Sequence, residues 1–223
     1  MLIGYQNIKG GFFLSKEVPI LYSFRRCPYA IRARWALISS NIDVELREIV
    51  LKDKPNEFLS VSTSGTVPCL QLKEKIIDES IDIMIWALRK NDPDRWLDMP
   101  AEGYSLIDDV ENKFKPNLDK TKYATRYPQN DNKVSRGLAI DYLIDLDKKI
   151  EGDFLFGKQP RLVDVAIFPF VRQFANIDIN WFNEFGWKKL KGWLEAFVES
   201  KMFNKSQKKF VQWRPNANPV FFP

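Results

Sequence analysis

The chain has 223 residues, 45% of them apolar and 14% aromatic, which is enough for a packed core in one unit or two small domains and excludes a disordered or fibrous protein. It contains no histidine and only two cysteines, which removes Ser-His-Asp and Cys-His catalytic pairs, the commonest metal ligand and a disulfide framework. The net charge of +5 is spread along the chain and gives no reason to expect a nucleic-acid partner.

Residues 1–18 read as an N-terminal extension. Gln6, Asn7 and Lys9 interrupt its apolar residues, so no secretory leader is expected, and the cysteine usage points to a reducing, cytoplasmic location. The longest apolar run, Val165 to Val171, is far below the roughly 20 residues of a membrane span, so no membrane association is expected.

Residues 19–90 read as an α/β module. Ile20 to Ser23 is a β-rich run, followed by a helix from Tyr29 to Ser39 with Ile31, Trp35 and Ile38 on one face. Val44 and Leu46 alternate with Glu45 and Arg47 in a second strand, and Pro55 to Val61 makes a short helical turn. Leu70 to Leu72 and Ile76 to Ile77 flank a polar connection and predict an antiparallel hairpin, after which Ile81 to Arg89 carries a helical apolar stripe.

Residues 91–100, rich in Asp and Pro, read as a linker, and residues 101–204 as an all-helical domain. Its predicted helices are Glu102 to Phe114, Lys133 to Ile150, Leu162 to Ala175 and Trp187 to Glu199. The second has Val134, Leu138, Tyr142 and Leu146 as its stripe and Gly152 as a C′ glycine. The third is apolar almost all round and predicts a central buried helix, bent or weakened at Pro169. Residues 205–223 form a basic, Pro-rich tail without a period that would assign it a structure. Gly152 to Lys158 fits G-x-x-x-x-G-K, but Gln159 replaces the metal-binding hydroxyl and no strand precedes it, so a phosphate loop is rejected.

Arg25-Arg26-Cys27-Pro28-Tyr29-Ala30 places a thiol at a helix N-cap with proline at the first helical position. Free N–H groups and flanking guanidiniums at such a site favour thiolate, which predicts Cys27 as a nucleophile with a depressed pKa. Cys69, in an apolar strand, reads as core. Thr66-Val67-Pro68 opens a strand with a proline that either is an ordinary turn or is cis and leaves the preceding backbone free to pair with an extended peptide. Asp78-Glu79-Ser80 opens a helix and is either a plain cap or a holder for a ligand's carboxylate and amine.

In this order the three signals resemble the glutathione transferase superfamily, and Cys-Pro-Tyr-Ala is most similar to the omega class and its bacterial cysteine-type relatives. The resemblance implies a thioredoxin-like N-terminal domain with an all-helical C-terminal domain, glutathione as cosubstrate, no metal, a homodimer, and a small electrophilic or disulfide second substrate. It implies Cys27 as the catalytic residue, bonded to the glutathione sulfur in a mixed disulfide. It also implies a glutathione site of Tyr29, Lys54, Val67, Pro68, Glu79 and Ser80, in which Val67 pairs with the cysteinyl part and Glu79 and Ser80 hold the γ-glutamyl end. Lys54 would reach the glycyl carboxylate, or it is a solvated loop lysine. Asp164 matches the family's buried capping-box acid, although Arg161 stands where a hydroxyl is expected. Ser62-Thr63-Ser64-Gly65 departs from the usual Asn-Pro-x-Gly before the Val-Pro.

Ala30 stands where a dithiol motif keeps its second cysteine, so the chemistry implied is monothiol. Two other readings stay open. One is a regulatory or binding protein on the same scaffold, and the other is conjugation with Tyr22 or Ser23 as the activating hydroxyl. Tyr104, Phe114, Phe170 and Trp181 are the aromatic candidates for a second-substrate pocket.

Overall fold

The computed structural model describes residues 18–223, so most of the predicted N-terminal extension lies outside the described residues. A five-stranded mixed sheet has the order β4-β3-β1-β2-β5. Its strands are β1 (Ile20–Ser23), β2 (Val44–Glu48), β3 (Cys69–Gln71), β4 (Ile76–Ile77) and β5 (Phe221–Phe222). β1 runs parallel to β2, and the crossover between them is helix α1 (Pro28–Ser39). β3 is antiparallel to β1 and forms the predicted hairpin with β4.

Side-chain alternation along β1 divides the interior in two. Leu21 points to the face covered by α1 and α3 (Ser80–Lys90), where the core continues into the helical domain. Tyr22 points the other way, into a smaller cluster with Ile49, Phe58, Val67 and Cys69 beneath α2 (Asn56–Val61). A thioredoxin-like domain is thus joined to an all-helical one.

The helical domain departs from the sequence reading in four places. Helix α4 (Glu102–Asp109) does not stop before Pro116; a π-helical turn, Val110–Phe114, carries the chain on into α5 (Lys115–Lys122). Pro116 sits in the first turn of α5, where a missing N–H matters least. In α6 (Asn132–Lys149) the buried residues are Ser135, Ala139, Leu143, Leu146 and Asp147, while Val134 and Leu138 of the expected stripe are exposed. Gly152 is no helix cap: a Cβ there would lie 2.7 Å from the Gly157 carbonyl oxygen, so close backbone approach calls for glycine. The fourth departure is near the C-terminus, where α8 (Ile179–Glu184) and α10 (Lys201–Ser206) bracket a shorter α9 (Leu190–Val198).

Helix α7 (Leu162–Ala175) is the buried central helix, with Pro169 inside it. Asp164 receives the Arg161 N–H at 2.9 Å, the Leu155 N–H at 2.9 Å and the Trp193 Nε1–H at 2.8 Å. Arg161 has no acceptor to return the cap, yet the helix still begins at Leu162.

The tail, which no sequence period assigns to an element, is tied to the sheet. The Trp213 N–H donates to the Glu48 carbonyl at 2.8 Å, the Leu46 N–H donates to the Val220 carbonyl at 2.7 Å, and β5 pairs antiparallel with β2. It closes the edge that β2 would otherwise present to solvent. Among the described residues no helix is long and apolar enough to cross a membrane.

Candidate active site

The loop from β1 to α1 is fixed by backbone bonds, with the Cys27 N–H donating to Phe24 O at 3.0 Å and the Ile31 N–H to Cys27 O at 2.9 Å. Cys27 is the N-cap, in extended conformation, and Pro28 follows at the first helical position. Opposite it stands Val67, whose peptide bond to Pro68 is cis. The Cys27 Sγ lies 3.5 Å from the Val67 carbonyl oxygen and in its thiol form donates to it.

The 62–66 loop ahead of Val67 keeps its shape with unexpected residues. The Ser62 hydroxyl donates to Asp78 at 2.9 Å, the Ser64 and Thr66 hydroxyls are 2.7 Å apart, and Gly65 takes a φ of 62° that favours glycine. Asp78 therefore ties this loop to the start of α3. Glu79 is the N-cap of α3 and Ser80 its first residue.

These segments enclose a cleft of about 460 Å³. Every residue assigned from sequence to the site lines it: Cys27, Tyr29, Lys54, Val67, Pro68, Glu79 and Ser80. Thr66 and Asp78, the first residues of the two motifs that carry Val67 and Glu79, line it too, as do Leu51 and Glu111, which sequence reasoning did not place there. Glu111 comes from the helical domain, so no local pattern in the first domain could have revealed it. Of the aromatic candidates, Phe170 packs on Tyr29 at 4.8 Å between ring centroids. Phe114 is buried against Tyr142 and Phe174, Trp181 packs with Phe185 and Trp187, and Tyr104 is exposed, so the four do not form one pocket.

Two buried arginines of α1 build the site from behind. Arg32 donates from Nε to the Ser80 hydroxyl at 3.0 Å and from Nη2 to Glu111 at 2.5 Å, with the rings of Tyr29 and Phe170 beside it. It joins α1, α3 and the helical domain at one point. Arg34 donates to the Arg25 carbonyl at 2.7 Å, and the Arg25 N–H donates to Glu48 at 2.6 Å, so the turn carrying Cys27 is held through both backbone groups of Arg25. Burial lowers the Arg34 pKa to about 10 and raises that of Glu48.

The thiol differs from expectation. Burial pushes Cys27 up from the usual cysteine range, while the Ala30 and Tyr29 N–H groups, Arg34 and Lys115 pull it back only in part. The cations acting on the sulfur are thus Arg34 and Lys115, not the adjacent Arg25 and Arg26. Cys69 is fully buried and its thiol is raised as well, first by burial and then by Asp78. Tyr22 is buried in the opposite cluster, accepting from Arg47 at 2.8 Å and donating to Gln71 at 3.3 Å, and burial raises its pKa. Neither Tyr22 nor Ser23 lines the cleft.

The glutathione S-transferase N-terminal domain family matches residues 21–96. Glutathione S-transferase L3 of Arabidopsis thaliana is 31% identical over 171 residues, covering 70% of this chain and 67% of that protein. This chain belongs to the glutathione S-transferase family. A probable glutathione transferase omega-2 of Caenorhabditis briggsae is 30% identical over 163 residues, 67% of this chain and 61% of that one. Glutathione S-transferase L2 of Arabidopsis thaliana, a chloroplastic protein, is 30% identical over 70% of this chain, which spans 54% of it. Glutathione transferase Omega 3C from Trametes versicolor superposes with a TM-score of 0.72 at 21% identity, over 85% of this chain and 84% of that one. A Pseudomonas fluorescens family member with two glutathione molecules bound has the same TM-score at 19% identity, over 86% and 92% of the two chains. The transferase fold is therefore shared well beyond the reach of sequence identity.

Among the described residues no group of three or more His, Cys, Asp or Glu side chains is arranged to hold a metal.

Proposed function

We propose that this glutathione S-transferase is a glutathione-dependent thiol transferase that works through Cys27. The observation that carries the reading is the position of Cys27 Sγ at the N-terminus of α1, in the cleft, facing Val67 and the start of α3. No tyrosine or serine hydroxyl of β1 shares that cleft, which speaks against conjugation by an activated hydroxyl.

Glutathione would lie along the cleft with its cysteinyl part against the Val67 backbone, its γ-glutamyl end at Glu79 and Ser80, and its glycyl carboxylate at Lys54. The Cys27 thiolate attacks the glutathione sulfur of a mixed disulfide; a new S–S bond forms, the old one breaks, and the other half leaves as thiolate. A second glutathione thiolate then attacks the adduct, releasing Cys27 and glutathione disulfide. Ligand binding at the Val67 carbonyl would remove the acceptor that the Cys27 thiol uses in the free protein. A cytoplasmic homodimer is part of the proposal.

Turnover of a small glutathionylated disulfide with excess glutathione tests it. Cys27→Ser should abolish turnover, and full activity in that variant would sink the proposal. The raised thiol favours one rival, a binding protein that keeps the cleft without the chemistry. That rival predicts glutathione affinity without turnover in the wild type.

A further inference from the structure

Beside the turn that carries Cys27, cations from three separate segments act on one another. Arg25 and Arg26 come from the turn before Cys27. Lys115 and Lys122 are seven residues apart on α5, with Asp119 between them at i+4, so all three share one helix face. That face is turned to the site, since Lys115 Nζ is 5.8 Å from the centroid of the Tyr29 ring. Arg126 and Lys122 share the ring of Tyr123, at 4.5 and 5.3 Å, and Arg172 of α7 lies 4.9 Å from the Phe203 ring centroid.

These charges sense one another. The pKa of Lys122 is lowered by burial and further by Arg26, Arg172 and Lys115, and that of Arg172 by burial and then by Arg25. Among the described residues the acid acting on Lys122 is Asp119, already ion-paired to Lys115, and Glu48 acts on Arg25 but is shared with Arg34. Like charges held together without enough counter-charge destabilise the free protein, and an anion arriving among them relieves the repulsion. The cleft side of the thiol has a different balance, with Asp78, Glu79 and Glu111 set against Lys54.

We propose that the face formed by the 25–26 turn, α5 and Arg172 receives the leaving half of the second substrate, and that this half is a carboxylate-bearing thiol. The inference rests on the Cys27 chemistry proposed above and adds the substrate class. In the exchange the substrate's S–S bond breaks as the Cys27–glutathione S–S bond forms, and the departing thiolate, beside its carboxylate, is the second negative charge that the cations face. Its proton comes from solvent after release.

The charge preference can be read without any turnover. Iodoacetate and iodoacetamide are of similar size and differ in charge, and both alkylate the thiolate with loss of iodide. The adduct is assigned to Cys27 by peptide mass analysis. The ratio of the iodoacetate rate to the iodoacetamide rate, normalised to the same ratio for free cysteine, is expected to be about tenfold at low salt and to fall as ionic strength rises. Lys122→Gln and Arg172→Gln should each lower the ratio several-fold. A normalised ratio near one at both salt concentrations would overturn the proposal. So would a high ratio indifferent to both substitutions, because Lys115 would then act alone. A high, salt-sensitive ratio in a protein with no transferase turnover would keep the anion preference and contradict the function proposed above.

Discussion

Replacing Arg32 by Met tests how the two domains are joined behind the site. The Arg32 side chain is 1% exposed and its Glu111 partner 33% exposed, so the substitution leaves a partly buried carboxylate without its cation. Removing one partner of a buried pair is worth about 3 to 5 kcal/mol, and the partial exposure of Glu111 puts this case near the lower end. Ser80 also loses its donor, and the guanidinium contacts with Tyr29 and Phe170 disappear, while Met refills most of the volume. The expected loss is about 3 to 4 kcal/mol, or a fall in Tm of roughly 10 °C for a chain of this size. Urea unfolding of Arg32→Met, Glu111→Gln and the double variant measures it. The double variant also removes the carboxylate left without its cation, so it should recover part of the loss, with a coupling of about 2 kcal/mol. Glutathione affinity should fall in Arg32→Met, because Ser80 and Glu111 both line the cleft. A loss below about 1 kcal/mol with no coupling would refute the idea that this arginine joins the domains.

Three further outcomes are expected. Asp164→Ala strands the Leu155, Arg161 and Trp193 donors and should lose about 4 kcal/mol in urea unfolding, with Asn intermediate; an unchanged midpoint would contradict this. The iodoacetamide rate at Cys27 in the free protein should rise with pH and inflect above the ordinary cysteine value of about 8.5, and Arg34→Gln should move the inflection further up, as a pH series will show. A raised thiol binds its proton more tightly when folded, so its contribution to stability is full below the unfolded pKa and is lost as pH rises through the folded one. Truncation after Gln207 uncovers β2 and removes buried Phe222, which should lower stability by about 2 to 3 kcal/mol in thermal or urea unfolding; a truncated chain with unchanged Tm would show the strap to be unimportant. It also frees Asp53 from Arg214, so glutathione binding through neighbouring Lys54 should weaken.

The first domain was legible because its signals are local. Pro28 after Cys27, the Thr66-Val67-Pro68 strand opening and the cap at Glu79 each state their geometry within a few residues, and all reach one cleft. What sequence reasoning missed depends on contacts between distant segments. Glu111 reaches Arg32 across 79 residues, and Trp213 reaches Glu48 from the other end of the chain. The α6 stripe went wrong because Val134 and Leu138 are apolar yet exposed, while Ser135 faces inward. For the thiol, the helix-start N–H groups of Ala30 and Tyr29 act as the sequence implies, but burial outweighs them, and the cations that help are Arg34 and Lys115 and not the neighbours in sequence. Helix-start chemistry can be read from a string of residues, but desolvation cannot.

The most direct test of the central claim is intact mass after incubation with oxidised glutathione, on wild type and on Cys27→Ser. The wild type should carry one glutathionyl adduct, removed by reduced glutathione, and the variant none. An unmodified wild type, or an adduct that survives the substitution, would contradict it.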